Sequence, residues 1–313
     1  MTKAKDLLSH EEIRALTRRS DARGAFAVVS TWAVIAGTLA AVALLPHPLV
    51  FAAAVVVLGG RQLALAILMH EAAHRTLFRS RFCNDVLTDW LCARPMWNDV
   101  ARYRVHHHRH HTQTGTPGDP DLSLVLPYPT SRRSLRRKLT RDLLGVTGLK
   151  RLVGLALMDL GYLEYTVAGD AHRRPRMSAL AHAREGLRNL PGVLVTNVAL
   201  FGLCAAAGHG WVYAAWAAAY GTTFSVFVRI RSLAEHACTE LTDEPLKNTR
   251  TTRAGLLARL LVAPLRVNYH LEHHLLVMVP YYRLPAMHRL LRERGVLGPA
   301  PGYLDVLRAV SAR

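Results

Sequence analysis

The 313-residue sequence is short of cysteine, of acid and of aromatic side chains, and each shortage excludes something. Its four cysteines, Cys83, Cys92, Cys204 and Cys238, make no CxxC pair and no dense framework. A disulfide-stapled secreted scaffold is thereby excluded, and free thiols in a reducing compartment or a bilayer are favoured. Asp and Glu number 22 against 40 Lys and Arg, a formal charge of +18. A basic excess suggests nucleic acid, yet no zinc-finger spacing, RNA-recognition aromatic motif or heptad-bearing basic helix accompanies it. Apolar material, by contrast, is plentiful. Half the residues are hydrophobic and the mean hydropathy is +0.12, which excludes disorder. A soluble basic protein rarely keeps a positive average. The cytoplasmic face of a membrane protein is the other home for positive charge, and it requires long apolar runs.

Those runs are present. Ala25 to Leu45 is free of charge over 21 residues, enough to cross about 30 Å of hydrocarbon. A second run, 49–69, is interrupted only by Gly59, Gly60, Arg61 and Gln62; a third and fourth cover about 190–207 and 211–230. The tips between paired runs, 46–48 and 208–210, contain no Lys or Arg, whereas the N-terminal segment carries Lys3, Lys5, Arg14, Arg18, Arg19 and Arg23. The positive-inside rule then places both termini in the cytoplasm. The predicted architecture is an all-α integral membrane protein, a single domain over 1–313. It has two transmembrane helical hairpins (four spans) and a cytoplasmic helical cap at 70–189 and 231–313. Residues 1–24 lack the apolar core of a secretory signal, and Ser9 with Glu12 has capping-box spacing before Ile13 and Leu16. The run 132–138 is read as a solvated basic face beside anionic headgroups. Leu143 to Val167, which carries Lys150, Arg151, Asp159 and Glu164, is read as an interfacial helix. Arg61 is read as a snorkelling arginine in preference to a headgroup contact.

Histidine is the informative excess, at 17 residues. His70 and His74 form an HxxxH. His107, His110 and His111 form an HxxHH, as do His270, His273 and His274, and His236 closely follows the fourth run. On an α-helix, i, i+3 and i+4 share a face, so each cluster can aim several imidazoles at one point. Neutral imidazole is a good ligand for iron, zinc or copper, and one ion needs three or four protein ligands, so nine nitrogens suit two ions. An even number of predicted spans separates the clusters, which lets all nine meet on the cytoplasmic surface. His10, His47, His172, His182, His209 and His288 are assigned structural or surface places, while His106 and His108 flank the second box as alternative ligands. His70-Glu71-Ala72-Ala73-His74 also matches HExxH, in which two histidines bind zinc and the glutamate is general base. An intramembrane zinc protease would use only two of the nine.

The whole pattern resembles the membrane fatty acid desaturase and hydroxylase superfamily, which carries HxxxH, HxxHH and HxxHH boxes beside two transmembrane hairpins. The likeness extends to YRVHHHRHHTQTGTPGDPDL at 103–122, NTRTT at 248–252, NYHLEHHL at 268–275 and Val279-Pro280, which look like the bacterial acyl-lipid desaturase branch. It covers about residues 50 to 292. The resemblance implies two iron ions that activate O2 and remove hydrogen from an unactivated C–H bond. The expected reaction is a double bond introduced into a long acyl chain of a lipid or thioester. Hydroxylation or ketolation of another lipophile, such as a carotenoid, is the alternative. Asp119, Asp121, Glu235 and Glu272 are candidates for orienting histidine N–H groups from behind. Acyl-CoA desaturases of animals are similar but have Asn where this sequence has Ser232, so the resemblance does not carry a water-mediated ligand over to that position. No HPGG-like haem motif and no flavin or nucleotide fingerprint occurs, so an external ferredoxin, rubredoxin or cytochrome b5 is implied as electron donor. A multi-pass protein of the bacterial inner membrane, with no nucleic-acid partner, is the expected setting.

Overall fold

The computed structural model describes residues 2–313, which form helices and loops with isolated β-bridges and, among the described residues, no strand. The N-terminal arm holds α1 (Ala4–Leu7) and α2 (His10–Leu16). Ser9 and Glu12 cap α2 reciprocally, Glu12 N donating to Ser9 Oγ (3.2 Å) and Ser9 N to Glu12 (2.7 Å), as the spacing predicts. The first hairpin pairs α3 (Asp21–Leu44) with α4 (Pro48–Ala73). Pro48 begins α4, where its missing N–H costs nothing. Two short π-helical segments, Cys83–Leu87 and Asp89–Ala93, lead to α5 (Val100–Gln113). Then come α6 (Arg132–Leu143), α7 (Val146–Asp159) and the long α8 (Ala179–Ala206). After the tip at 208–210 the chain forms α9 (Tyr213–Gly221) and α10 (Thr223–His236). The last part consists of α11 (Pro245–Asn248), α12 (Leu256–Leu261), α13 (His270–Leu275), α14 (Leu284–Glu293) and α15 (Tyr303–Ala309).

Among the described residues, three stretches are long and apolar enough to cross a membrane: His10–Leu44, Pro48–Ala73 and Ala179–Ala206. They hold the first three runs read from the sequence, apart from the C-caps Leu45 and Ala207. The fourth, 211–230, differs, because it is not one helix. Gly221 is followed by two β-branched residues, and at Thr222 (φ −118°, ψ −88°) the helix breaks. Side chains from neighbouring helices meet the groups at the break, as an apolar setting demands. Arg151, from α7, donates to the Tyr220 carbonyl and to Ser225 Oγ, with its guanidinium over the rings of Tyr220 and Phe224. Thr223 Oγ1 donates to Val55 O in α4 (2.7 Å).

Helix α7 reaches the break only because Gly148 has no side chain; a Cβ there would lie 2.1 Å from Gly221 O. Gly148→Ala therefore forces backbone away from backbone. A loss of about 1–3 kcal/mol is expected, read as a lower thermal midpoint. The outer face of α7 exposes Val146, Leu149 and Val153, an apolar stripe at helical spacing that fits the interfacial reading of this segment. Helix α4 is the axis of the fold. Its first half is largely exposed and its second half, from Leu58 on, is almost wholly buried beneath its neighbours. The Arg61 guanidinium reaches the exposed Leu260 O in α12 and donates to it.

Candidate metal centre

Four helices deliver nine imidazoles to one place. The last turn of α4 supplies His70, and His74 is its C-terminal cap. The left-handed residue Arg75 (φ 57°) ends the helix there. Helix α5 supplies His107, His110 and His111, and its start is fixed by Asp99, whose Oδ1 accepts from Arg102 N (2.8 Å). His236 closes α10. His270, His273 and His274 lie on one side of α13.

The imidazoles fall into two groups, each with nitrogens within 4.8 Å of one another. One is His70, His74, His107, His111 and His273; the other is His110, His236, His270 and His274. Within them like nitrogens face each other. Nε2 of His111 lies 3.0 Å from Nε2 of both His107 and His273. Nε2 of His270 lies 2.8 Å from that of His236 and 3.1 Å from that of His274. One N–H cannot serve two such neighbours, and both nitrogens of His70 and Nε2 of His74 are buried without any partner. Metal–imidazole bonds of about 2.0–2.1 Å at right angles put ligand nitrogens about 3 Å apart. The donor set therefore fits one ion in each group, with the lone pairs pointing inward.

Acceptors behind the rings fix the tautomers, as metal-binding histidines require. His110 Nδ1 donates to Asp119 Oδ1 (2.8 Å), and His236 Nδ1 to Asn248 O (3.2 Å). His274 Nδ1 meets Thr114 Oγ1 at 3.3 Å, and His270 Nδ1 lies 3.5 Å from Glu235 Oε1. All four rings of the second group thus present Nε2 to the centre. Burial pushes His107, His111, His270, His273 and His274 well below the ordinary imidazole range and His236 down to about 3, which keeps them neutral. His110 is the exception. Burial lowers it, but the hydrogen bond to Asp119 and the charges of Asp121 and Asp119 outweigh burial and raise it.

The four carboxylates expected behind the ligands divide. Asp119 holds a site histidine directly. Asp121 binds His106 Nε2 (2.8 Å) and lies 3.7 Å from His110 Nδ1. Glu235 is held by Arg231 Nε (2.7 Å), and its burial raises it to about 7. Glu272 turns away from both groups: it accepts from Thr251 Oγ1 and pairs with His288 Nδ1. The reason is helical geometry, since residue 272 cannot share the face of 270, 273 and 274. Glu71 is engaged through Oε2, which accepts from Thr76 Oγ1 (2.9 Å) and Tyr281 N (3.0 Å), while its Oε1 lies 3.6 Å from His70 Nδ1.

Sequence reading missed the Asn248 carbonyl, Thr114, Arg231, and Tyr103, whose ring stacks on His107 at 5.0 Å. It also placed His106 and His288 without their acid partners. The quoted stretches that begin at Tyr103 and Asn248 contained Tyr103, Thr114 and Asn248, and Arg231 lay in none. Since Asp119 alone among the carboxylates grips a ligand at hydrogen-bond distance, Asp119→Ala is expected to weaken metal binding in the second group by about 10- to 100-fold, measured by competition with a chelator.

The family model for fatty acid desaturase matches residues 46–301, a range that encloses all nine histidines. A dihydrorhizobitoxine desaturase of Bradyrhizobium elkanii is 29% identical over 302 residues, covering 92% of this chain and 79% of that protein.

Proposed function

Because this chain belongs to the fatty acid desaturase family, and is so a desaturase-type oxidoreductase, we propose that it introduces a double bond into a long acyl chain at a di-iron centre held by the nine histidines. The observation that carries the reading is the division of the imidazoles into two convergent groups that share α5 and α13. The balance of such a reaction is fixed: O2 takes two electrons from the substrate's two C–H bonds and two from a donor, and leaves as two waters. Iron in these groups supplies the activation of O2. His70, His74, His107, His111 and His273 would hold one ion and His110, His236, His270 and His274 the other. Asp119, Asn248 O and Thr114 keep the Nδ1 protons on the far side of the rings, so that Nε2 stays free to bind. Glu235, raised to about 7 by burial, can hold a proton beside His270 Nδ1.

A polar cavity of about 370 Å³ is lined by Arg102, Arg174, Arg188, Glu164, Asn189 and Tyr165, whose ring lies 6.3 Å from that of His106. We assign the polar end of the substrate to it. The membrane reading treats α9 and α10 as far as residue 230 together as a broken fourth span, with both termini and the histidines on the cytoplasmic side of a bacterial inner membrane. Two electrons then come from an external ferredoxin, rubredoxin or cytochrome b5, which the basic face attracts. A second reading rests on the relative named above, whose name gives dihydrorhizobitoxine and not a fatty acid as its substrate. The mixed charges of the cavity suit a compact polar substrate as well as a lipid head.

Expression in a host with a matched electron donor tests both. A new double bond in the extracted lipids supports the first reading, one in the polar extract supports the second, and a new hydroxyl in either moves the chemistry to hydroxylation.

A further inference from the structure

Behind α13, on the side away from the metal centre, lies a separate cavity of about 180 Å³. Three guanidinium groups from distant segments line it: Arg253, Arg259 on α12, and Arg292 on α14. Among the described residues none of the three makes an ion pair, whereas Arg75, Arg94, Arg102, Arg104, Arg229 and Arg231 are all matched by acids. Uncompensated arginines gathered at a concave surface form a site for a phosphate-class anion, which the planar guanidinium binds with two parallel hydrogen bonds.

The position of the cavity says where that phosphate comes from. Helix α12 packs on α4 at Gly60 and Arg61, where the exposed apolar first half of that helix gives way to the half buried beneath its neighbours. Gly60 permits the approach, since a Cβ there would stand 2.7 Å from Leu260 O, and Arg61 anchors the same carbonyl. On its other side α12 exposes Leu256 (76%), Leu257 (70%) and Leu260 (49%). Three bare leucines beside a spanning helix belong in lipid, and Arg259 on the same short helix then stands at headgroup level.

The inner wall sharpens the identity. Asn268 is buried, its Nδ2 donates to Thr252 O (2.9 Å), and its Oδ1 has no partner. An orphaned acceptor calls for a hydroxyl or amine donor, which a phosphodiester lacks and a polyol headgroup carries. Thr251 and His288, which also line the cavity, are the two residues that hold Glu272 at the back of α13.

We propose that this cavity binds the headgroup of an anionic phospholipid of the phosphatidylglycerol class, and that the bound lipid braces the third histidine box from behind. The site is independent of the substrate assignment above, and its test needs no turnover. Delipidated protein in neutral detergent is titrated with phosphatidylglycerol, phosphatidylcholine or inorganic phosphate, and bound lipid is counted by native mass spectrometry while the thermal midpoint is followed. Phosphatidylglycerol should bind at one copy per chain and raise the midpoint. Arg253→Gln, Arg259→Gln and Arg292→Gln combined should weaken that binding at least tenfold. Arg289→Gln, an exposed change on the same helix outside the cavity, should leave it intact. Equal retention by the triple variant, an equal effect of phosphatidylcholine, or a full shift with inorganic phosphate alone would each overturn the proposal.

Discussion

On the proposed di-iron reading, changing His273 to alanine is expected to cut product formation below a hundredth of the wild-type rate and to remove about half of the bound iron. His273 is the single residue that α13 contributes to the first group, with its Nε2 3.0 Å from that of His111 and its ring 4.5 Å from that of His70. Loss of an outer partner of a metal ligand costs about 10- to 100-fold, so loss of an inner ligand costs more. The second group keeps its four imidazoles in this variant, which is why half the metal should stay. Iron analysis with single-turnover product measurement reads both quantities. A variant that keeps two irons and full activity would remove His273 from the site. A single zinc, indifferent to this change but lost on altering His70, His74 or Glu71, would replace the oxidoreductase with a protease.

Metal-stripped protein is expected to lose its fold abruptly as the pH drops through about 6. Seven imidazoles outside the spanning helices, those of His74, His107, His111, His236, His270, His273 and His274, are pushed down by burial and stay neutral in the folded chain. Unfolded, each takes up a proton near pH 6.5. Below that pH the unfolded chain binds more protons, and stability falls by about 1.4 kcal/mol per pH unit for each fully engaged imidazole. Seven together approach about 10 kcal/mol per unit, as much as the whole stability of a typical domain. Glu235 works in the opposite sense. Its pKa is raised, so its stabilising contribution is complete below about 4.5 and disappears as the pH rises through 7. One carboxyl does not offset seven imidazoles. Bound metal competes with the protons and should move the transition to lower pH. Thermal midpoints at pH 7.5, 6.5 and 5.5, with and without chelator, check this, and a chelated protein equally stable at pH 5.5 and 7.5 would refute it.

The ligand candidates were legible in the sequence because their spacing is a property of the helix itself. Residues 270, 273 and 274 share a face in any α-helix, and so do 107, 110 and 111. The same rule, applied to Glu272, would have turned it away from the centre. The division of nine rings into five and four could not be read, because His107 and His111 join one group and His110, on the same turn, the other. That depends on how α5 is rotated against α4 and α13. Asp119 was found through its motif and not by periodicity, since the loop after α5 has none; its grip on His110 depends on the turn at Thr116 to Asp119. In the fold, the three stretches long and apolar enough to cross a membrane were legible as apolar runs, the second in spite of Arg61 and Gln62. The break at Thr222 was hidden because Gly221, Thr222 and Thr223 interrupt neither hydropathy nor charge, while the arginine that stabilises it comes from residue 151.

The arrangement of the two groups also sets an order of events during synthesis. The first group takes His273 from α13 and the second takes His270 and His274, so both draw on one six-residue helix late in the chain. A nascent chain that ends before it offers His70, His74, His107 and His111 on one side but only His110 and His236 on the other. About two hundred residues separate the first histidine from the last, and closing so long a loop is slow compared with forming the helices themselves. On the proposed di-iron reading, neither shell can be completed before α13 is made, and α13 closes both.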